Sequence, residues 1–553
     1  MSSASAAPAV LQLQIIQGHG LLVLAVIAGV IGFIYRMCLA TPFDKDLDLV
    51  REKPGNKHFS LWTRLSFYFN CSSLYRDVWD KFSKQGLPVL VPTLGTRKEI
   101  FLPHSSMKWA LSQPSTILGM WEAFNEMFQL GHSLGDEKYM VDTWPHLLAR
   151  HVLTQELDDY ILPIHEELQL AIDTHLGLDT ENWRTLDLLD TMRMIVNQTG
   201  SRFAVGLPLC RDEEYLRTIM NTIDGVVANA GVTGFTPEFL RPVVGPLVCW
   251  STRSKLSRLE ARYEAIFKER IAYMESTTDE TDDPVDLMQK MLRYAQKHRP
   301  EELETGQMTR RLLMANLGFI YQASFAMSNM LMNMLGSNAS HDTVSVLRRE
   351  AEAFLAESGG DAAALWTKQN IGRMVYADSV ARETLRLNTV PTRALVRKVM
   401  VDGVRSDTGM ALPRGSLVSF VSQPMHTDGE RFANPDAFDP FRFVELRKQQ
   451  AAAAGQGEKE GGAQDAGGNW SPHAFLSTAN LLIFGRGRNS CPGRFLVDFQ
   501  LKMFMSHLLT NYDLKFPDDY QGQRPANRWL LEFVFPANGV KVMVKRRKQQ
   551  QSS

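Results

Sequence analysis

The order of apolar and polar positions divides the chain into segments of different character. Residues 1–35 hold no Asp, Glu, Lys or Arg, and residues 21–35 (LLVLAVIAGVIGFIY) form an unbroken apolar run that ends at Arg36. At about 1.5 Å per residue this run covers about 22 Å of a hydrocarbon core of roughly 30 Å, so the expected single membrane span is widened to residues 18–40, with Arg36 reaching the interface. A cleaved signal peptide would begin with a basic region, which is absent here. Further on, PVLVP at 88–92 and EIFL at 99–102, separated by a Gly-containing turn, predict a small β-hairpin. From about Glu137 to Gln369, stretches such as 187–203 and 255–274 repeat apolar positions with the helical period, which predicts a body made almost wholly of helices. Segment 449–469 (QQAAAAGQGEKEGGAQDAGGN) lacks any large apolar residue and reads as a disordered surface insertion. The expected organisation is a short tail (1–17), an anchor (18–40) and one large domain (41–553), mainly α with a small β subdomain.

Charge and composition narrow the function. With 60 Lys+Arg against 61 Asp+Glu there is no overall basic field to grip nucleic acid. A hydrophobic share of 44% and a charged share of 22% fit a globular chain and exclude wholesale disorder or a multi-span membrane protein. The five cysteines, Cys38, Cys71, Cys210, Cys249 and Cys491, are odd in number and form no CxxC pair, which argues against a disulfide framework or a structural zinc site and for a reducing compartment. Arg36, Lys45, Arg51, Lys53 and Lys57 all follow the apolar run and no Lys or Arg precedes it, so the large domain is expected in the cytosol and the N-terminal tail in the lumen.

The chemistry concentrates at residues 484–494, FGRGRNSCPGR, followed by a helical pattern over 495–509. Gly485, Gly487 and Gly493 permit tight turns and a close backbone approach to a flat ligand, and Cys491 stands just ahead of a helix N-terminus, where N–H groups favour a thiolate. Thiolate ligation of a haem iron promotes O–O cleavage. This segment, F-x-x-G-x-x-x-C-x-G, resembles the cysteine loop of the cytochrome P450 family of haem-thiolate monooxygenases. The resemblance extends over nearly the whole chain. Glu383-Thr384-Leu385-Arg386 matches the family's E-x-x-R ion pair, and Pro440-Phe441-Arg442-Phe443 matches the P-x-R-F whose Arg completes that network. His426-Thr427-Asp428, Asn434-Pro435-Asp436 and Phe438 resemble the run ahead of it. Cys491-Pro492-Gly493-Arg494-Phe495, Asn511-Tyr512-Asp513 and residues 181–184 (ENWR) resemble fungal secondary-metabolism members, especially those oxidising diterpenoids and related terpenoids.

The resemblance implies the cytochrome P450 fold, haem b with Cys491 as axial iron ligand, and a cofactor cradle of Phe484, Gly485, Gly487, Arg488 and Gly493. His146, Arg150 and Arg397 are candidate partners for the haem carboxylates, as is Trp144. Two departures stand out. Asn489 occupies a position where the family usually has Arg or His, with Arg488 as its candidate substitute. On the long helix expected over 311–335, Phe325 and Ala326 fall where the family has an acid and a Thr that feed protons to bound dioxygen, leaving Ser324 and Ser328 as candidates to hold a water there. Met327 to Met334 reads as core packing.

The implied activity is monooxygenation of a lipophilic secondary metabolite, terpenoid-like, at the endoplasmic reticulum membrane. No G-x-G-x-x-G stands in a strand–loop–helix context, so electrons are expected from a separate NADPH–cytochrome reductase. Two rivals stay open: an NADPH-independent isomerase or dehydratase using the same iron, and a haem-binding scaffold without activity. The apolar stretch 235–250 reads either as the substrate entrance near the membrane or as an ordinary core loop.

Overall fold

The computed structural model describes residues 47–455 and 481–548, apart from Thr96, Thr278, Ser358 and Gly360, together with Gly29, Val30 and Gly32. Eight helices position the site: α1 (Trp144–Gln155), α2 (Leu157–Leu176), α3 (Leu188–Ala204), α4 (Glu213–Phe235), α5 (Arg241–Ser276), α6 (Thr305–His341), α7 (Val375–Leu387) and α8 (Arg494–Asn511). Carboxylates start several of them, as N-terminal N–H groups require. Asp187 caps α3, Glu304 caps α6, and Glu350 accepts the N–H groups of Tyr376 and Ala377 at 2.8 Å each in the first turn of α7. The centre of α6 is sheathed by α3, α4 and α5, so its apolar and small residues face other helices and it forms the axis of the core.

The β part is small, as the sequence predicts. Strands β1 (Val89–Val91) and β2 (Glu99–Phe101) form the expected antiparallel hairpin. They join β3 (Leu118–Gly119), β4 (Arg393–Val399) and β5 (Leu417–Val421) in the order β1-β2-β5-β4-β3, with β2 and β5 parallel. A second hairpin, β6 (Arg528–Leu530) with β7 (Phe533–Phe535), lies against α6 through Phe535, whose ring meets that of Phe325 edge-on at 5.4 Å. Its tip is tied to the sheet by Glu532, which pairs with the buried Arg393 guanidinium and accepts from Tyr75 Oη at 3.1 Å.

Two expectations change. The helix over the core runs from 305 to 341, a turn or more longer at each end than 311–335. The segment expected to be disordered from 449 is helical as far as Gly455, because the alanine run 451–454 has the highest helix propensity of any residue and simply continues the helix Arg442–Gly455. Residues 456–469 lie outside the described residues. So does the expected span 18–40, except Gly29, Val30 and Gly32, which are helical and exposed. Among the described residues no helix is long and apolar enough to cross a membrane.

Candidate active site

The cysteine loop is shaped by two residues only glycine accommodates well. Gly485 (φ 67°) and Gly487 (φ 75°) lie in the left-handed region and fold the chain back so that Cys491 N–H reaches Phe484 O at 2.8 Å. Cys491 keeps accessible surface although it lies deep in the protein, where burial raises its thiol pKa. The N–H groups of Gly493 and Arg494, at the start of α8, oppose that rise. The thiolate tendency expected from the helix N-terminus is therefore present but outweighed by desolvation, and a bound cation would reverse the balance. At Gly493 a Cβ would stand 3.7 Å from Cys491 Sγ and 4.0 Å from Phe319 Cε1. Glycine there keeps the space beside the thiol clear.

Strand β4 delivers the next groups through a bulge. Between Ala394 and Arg397 the register with β5 shifts, and Leu395 adopts φ 57°, uncommon for a residue with a branched side chain. The bulge turns Leu395 toward the loop, where its Cδ2 is 3.8 Å from the Cβ position of Gly485. It also brings Arg397 close enough to Arg488 that burial and then this like charge lower the Arg397 pKa to about 10. From α1, Arg150 Nη1 donates to Arg488 O at 2.5 Å, and Arg488 Nη2 donates to Gln113 O at 3.1 Å. Among the described residues none of these three guanidiniums has a carboxylate at ion-pair distance. Buried or crowded cations need anions. A thiol in a glycine-lined interior, flanked by uncompensated arginines, fits a flat iron macrocycle carrying carboxylates.

His146 fits less well than expected. Its ring packs edge-on to Trp121 at 4.5 Å, and burial with the nearby Arg150 lowers its pKa to about 4. It can offer a carboxylate an N–H but no charge. Trp144 is turned away, stacked on Tyr294 at 5.2 Å with the Arg311 guanidinium over its ring.

The ion network matches the sequence reading closely. Both oxygens of Glu383 receive Arg386, at 2.7 and 2.8 Å, and Arg442 Nε reaches Glu383 Oε1 at 3.0 Å, with Glu383 and Arg386 fully buried. Remaining donors find backbone carbonyls: Arg386 those of His426 and Pro435 (2.7 Å each), Arg442 those of Ala433, Asn434 and Ala437. Phe441 packs on Tyr376 and His341 outside the network.

The distal positions named from sequence lie on the buried side of α6. Ser324 and Ser328 are buried, and their hydroxyls donate back to Tyr321 O (2.9 Å) and Ser324 O (2.8 Å). Ala326 is packed in the core. The α6 face that keeps accessible surface begins one to two turns earlier, at Gly318 and Gln322, with Phe319 and Tyr321 on its flanks; neither Gly318 nor Gln322 was singled out from sequence. The available signal was Gly318, a glycine inside a helix, which costs up to about 1 kcal/mol relative to alanine and leaves that face open.

The comparisons with known proteins agree with this geometry. Residues 146–544 match the family model for cytochrome P450. The chain belongs to the cytochrome P450 family and is a haem-dependent oxidoreductase of its monooxygenase class. It is similar to cytochrome P450 monooxygenase astC of Aspergillus terreus (41% identity, covering 95% of this chain and 96% of the relative) and pbrC of Penicillium brasilianum (39%, 95% and 96%). It is also similar to tenB of Beauveria bassiana (39%, 92% and 93%). All three are fungal proteins named as cytochrome P450 monooxygenases.

Proposed function

We propose that this enzyme oxidises a lipophilic, terpenoid-like secondary-metabolite intermediate at the endoplasmic reticulum membrane, using dioxygen and electrons passed singly from a separate NADPH–cytochrome reductase. The observation that carries the reading is the pairing of a deep, reachable Cys491 with the uncompensated Arg150, Arg397 and Arg488. Cys491 would hold the iron and the arginines the carboxylates of haem b. When bound, the haem supplies one-electron and dioxygen chemistry. The chain supplies the rest: the loop orients the thiolate, the Glu383 network fixes its approach, and the apolar faces of α6 and the β6–β7 hairpin exclude water.

A lipophilic substrate and membrane location are supported by one continuous surface. Trp62 and Phe69 are 83% and 84% exposed, and the neighbouring Tyr68 ring meets Phe235 at 6.2 Å. Beyond it Phe239, just ahead of α5, and Val243, Leu247 and Trp250 on its start are also exposed, and clustered exposed apolar residues mark interaction surfaces. Stretch 235–250 is thus read as the entrance side. Carbonate that releases the full-length chain from membranes would remove the anchor at 18–40.

The buried state of Ser324, Ser328 and Ala326 favours examining one rival, an NADPH-independent isomerase or dehydratase. Incubation of membranes with terpenoid and polyketide intermediates under oxygen-18, with and without NADPH and reductase, separates them. Labelled product that requires NADPH is expected; unlabelled product at full rate without NADPH would establish the rival.

A further inference from the structure

We propose that Arg524, Asn329 and Asn527 form a binding site for a small monovalent anion, between the C-terminal half of α6 and the segment leading into the β6–β7 hairpin. The Arg524 guanidinium meets only neutral oxygens. Nη2 donates to Asn329 Oδ1 at 2.7 Å and to Asn527 Oδ1 at 2.8 Å, and Nη1 donates to Pro525 O at 2.8 Å. Among the described residues no carboxylate stands at ion-pair distance from it, and burial lowers its pKa to about 10. Three nitrogens of the cluster are buried without a hydrogen-bond partner: Arg524 Nε, Asn329 Nδ2 and Asn527 Nδ2. Asn329 is itself fully buried. A buried cation with unmet N–H donors around it is costly unless an anion joins it.

The orientation of these groups is fixed. Turning either amide would set an NH2 against Nη2–H, donor against donor, so the amide oxygens stay on the guanidinium and the nitrogens face away from it. A guanidinium is planar, and Nε–H runs parallel to one Nη2–H as the two prongs of a fork. Glu383 fills both prongs of Arg386. On Arg524 an amide oxygen fills the Nη2 prong, and Nε–H is left for a second acceptor. A water there would bring no charge and two hydrogens of its own to place, whereas an anion only accepts. Gly336 sets the depth of the cluster: a Cβ there would lie 2.7 Å from Arg524 Cβ, so glycine lets this segment press on α6. Asn329 stands one turn beyond Phe325, which the hairpin covers through Phe535. An anion shared by α6 and residues 524–527 would therefore fix the base of the hairpin, as the Glu532–Arg393 pair fixes its tip. Gln523 and Ala526 beside it are exposed, within reach of ions from solvent.

Full-length holoenzyme in sodium gluconate, whose anion is too large for the cluster, is titrated with chloride or with formate at constant ionic strength. Chloride is expected to raise the melting temperature saturably, by a few degrees, and to slow amide hydrogen exchange across residues 528–535. Arg524→Gln should abolish both responses. Asn329→Asp sets a carboxylate of the chain itself beside the guanidinium, so in gluconate it should melt above wild type and chloride should no longer stabilise it. A formate response equal to that of chloride assigns the site to free small anions. Formate acting where chloride does not assigns it to the carboxylate end of a larger molecule. Melting temperatures equal in chloride, formate and gluconate, or a chloride response that survives in Arg524→Gln, overturn the proposal. Should Arg524→Gln fail to fold, Asn329→Asp decides: destabilisation of the same size in gluconate and in chloride overturns it.

Discussion

His426 Nε2 accepts the backbone N–H of Leu482 across 3.0 Å, and this bond joins the Glu383 ion network to the cysteine loop. On one side the carbonyl of His426 receives Arg386. On the other, Leu482 O receives Gly485 N–H at 3.1 Å, at the first turn of the loop that carries Cys491. With Nε2 accepting, the ring proton resides on Nδ1, which is buried without a partner. The histidine is neutral, and its pKa is lowered to about 3 by burial and then by Arg386 and Arg431.

The first prediction follows from that bond. His426→Phe fills the volume but orphans a buried N–H, which costs about 1–3 kcal/mol and frees the start of the loop. His426→Gln restores an acceptor. Denaturant unfolding should place His426→Gln between wild type and His426→Phe, and the haem content after purification should follow the same order. Equal behaviour of the two variants would detach His426 from the loop.

Breaking the network at its centre should cost more. Glu383→Gln removes the one carboxylate facing two buried guanidiniums, Arg386 and Arg442, and leaves uncompensated charge in the core. The expected loss is about 3–5 kcal/mol, measured by urea midpoint, with protein recovered largely without haem. Arg442→Lys, which keeps the charge but loses the fork of donors to Ala433, Asn434 and Ala437, should cost less.

Acid sensitivity has a defined window. His426, His146 and His165 are held neutral, with pKa values lowered from 6.5 to about 3, 4 and 4, each by burial first. The unfolded chain takes up these protons below about 6.5 and the folded chain does not, so their contribution is complete above about 6.5 and is lost as pH falls toward 4 and below. For the fully buried His426 the loss between pH 6.5 and 5 is roughly 2 kcal/mol. Melting temperature should drop across this interval, and His426→Gln should flatten the slope.

What the sequence made legible depended on how local the signal was. The loop 484–494 and Glu383–Arg386 are short-range patterns, and the structure places them as expected, because a turn glycine or an i, i+3 pair constrains its own neighbourhood. Arg397 was visible as a nearby cation, but not the bulge at Leu395 that aims it, since nothing in that strand's sequence signals a left-handed leucine. The accessible face of α6 was not legible for a related reason. A 37-residue helix surrounded on most sides buries polar as well as apolar residues, among them Asn316, Ser328 and Asn333, so periodicity no longer says which stripe is open. The Glu532–Arg393–Tyr75 cluster joins residues hundreds of positions apart and could not be paired from sequence.

Cys491→Ala should abolish the red-shifted Soret band of the reduced CO complex while leaving the unfolding free energy of the haem-free protein within about 1 kcal/mol of wild type, because the thiol keeps accessible surface. A variant that kept the band would place the ligand elsewhere. Cys71, Cys210 and Cys249 are buried and offer no alternative thiol at the loop.

Arg397 allows a test with opposite signs in two states of the same protein. Without an anion beside it, Arg397 is a nearly fully buried cation whose pKa has fallen from 12.5 to about 10 through desolvation and the charge of Arg488. That fall corresponds to a penalty of roughly 3 kcal/mol on the charged form. Arg397→Gln removes the charge, keeps most of the side-chain volume and retains a donor for Val396 O, which Arg397 Nη1 now reaches at 2.8 Å. The haem-free protein should therefore become more stable, by about 1–3 kcal/mol after allowance for lost packing. The haem-loaded protein should move the other way, since a carboxylate in the same pocket loses a charge-assisted partner. Thermal unfolding of both forms, and the rate of haem transfer to apomyoglobin, read the two effects separately. Stabilisation of both forms, or destabilisation of both, would show that Arg397 is an ordinary core residue and that Arg150 and Arg488 hold the cofactor alone.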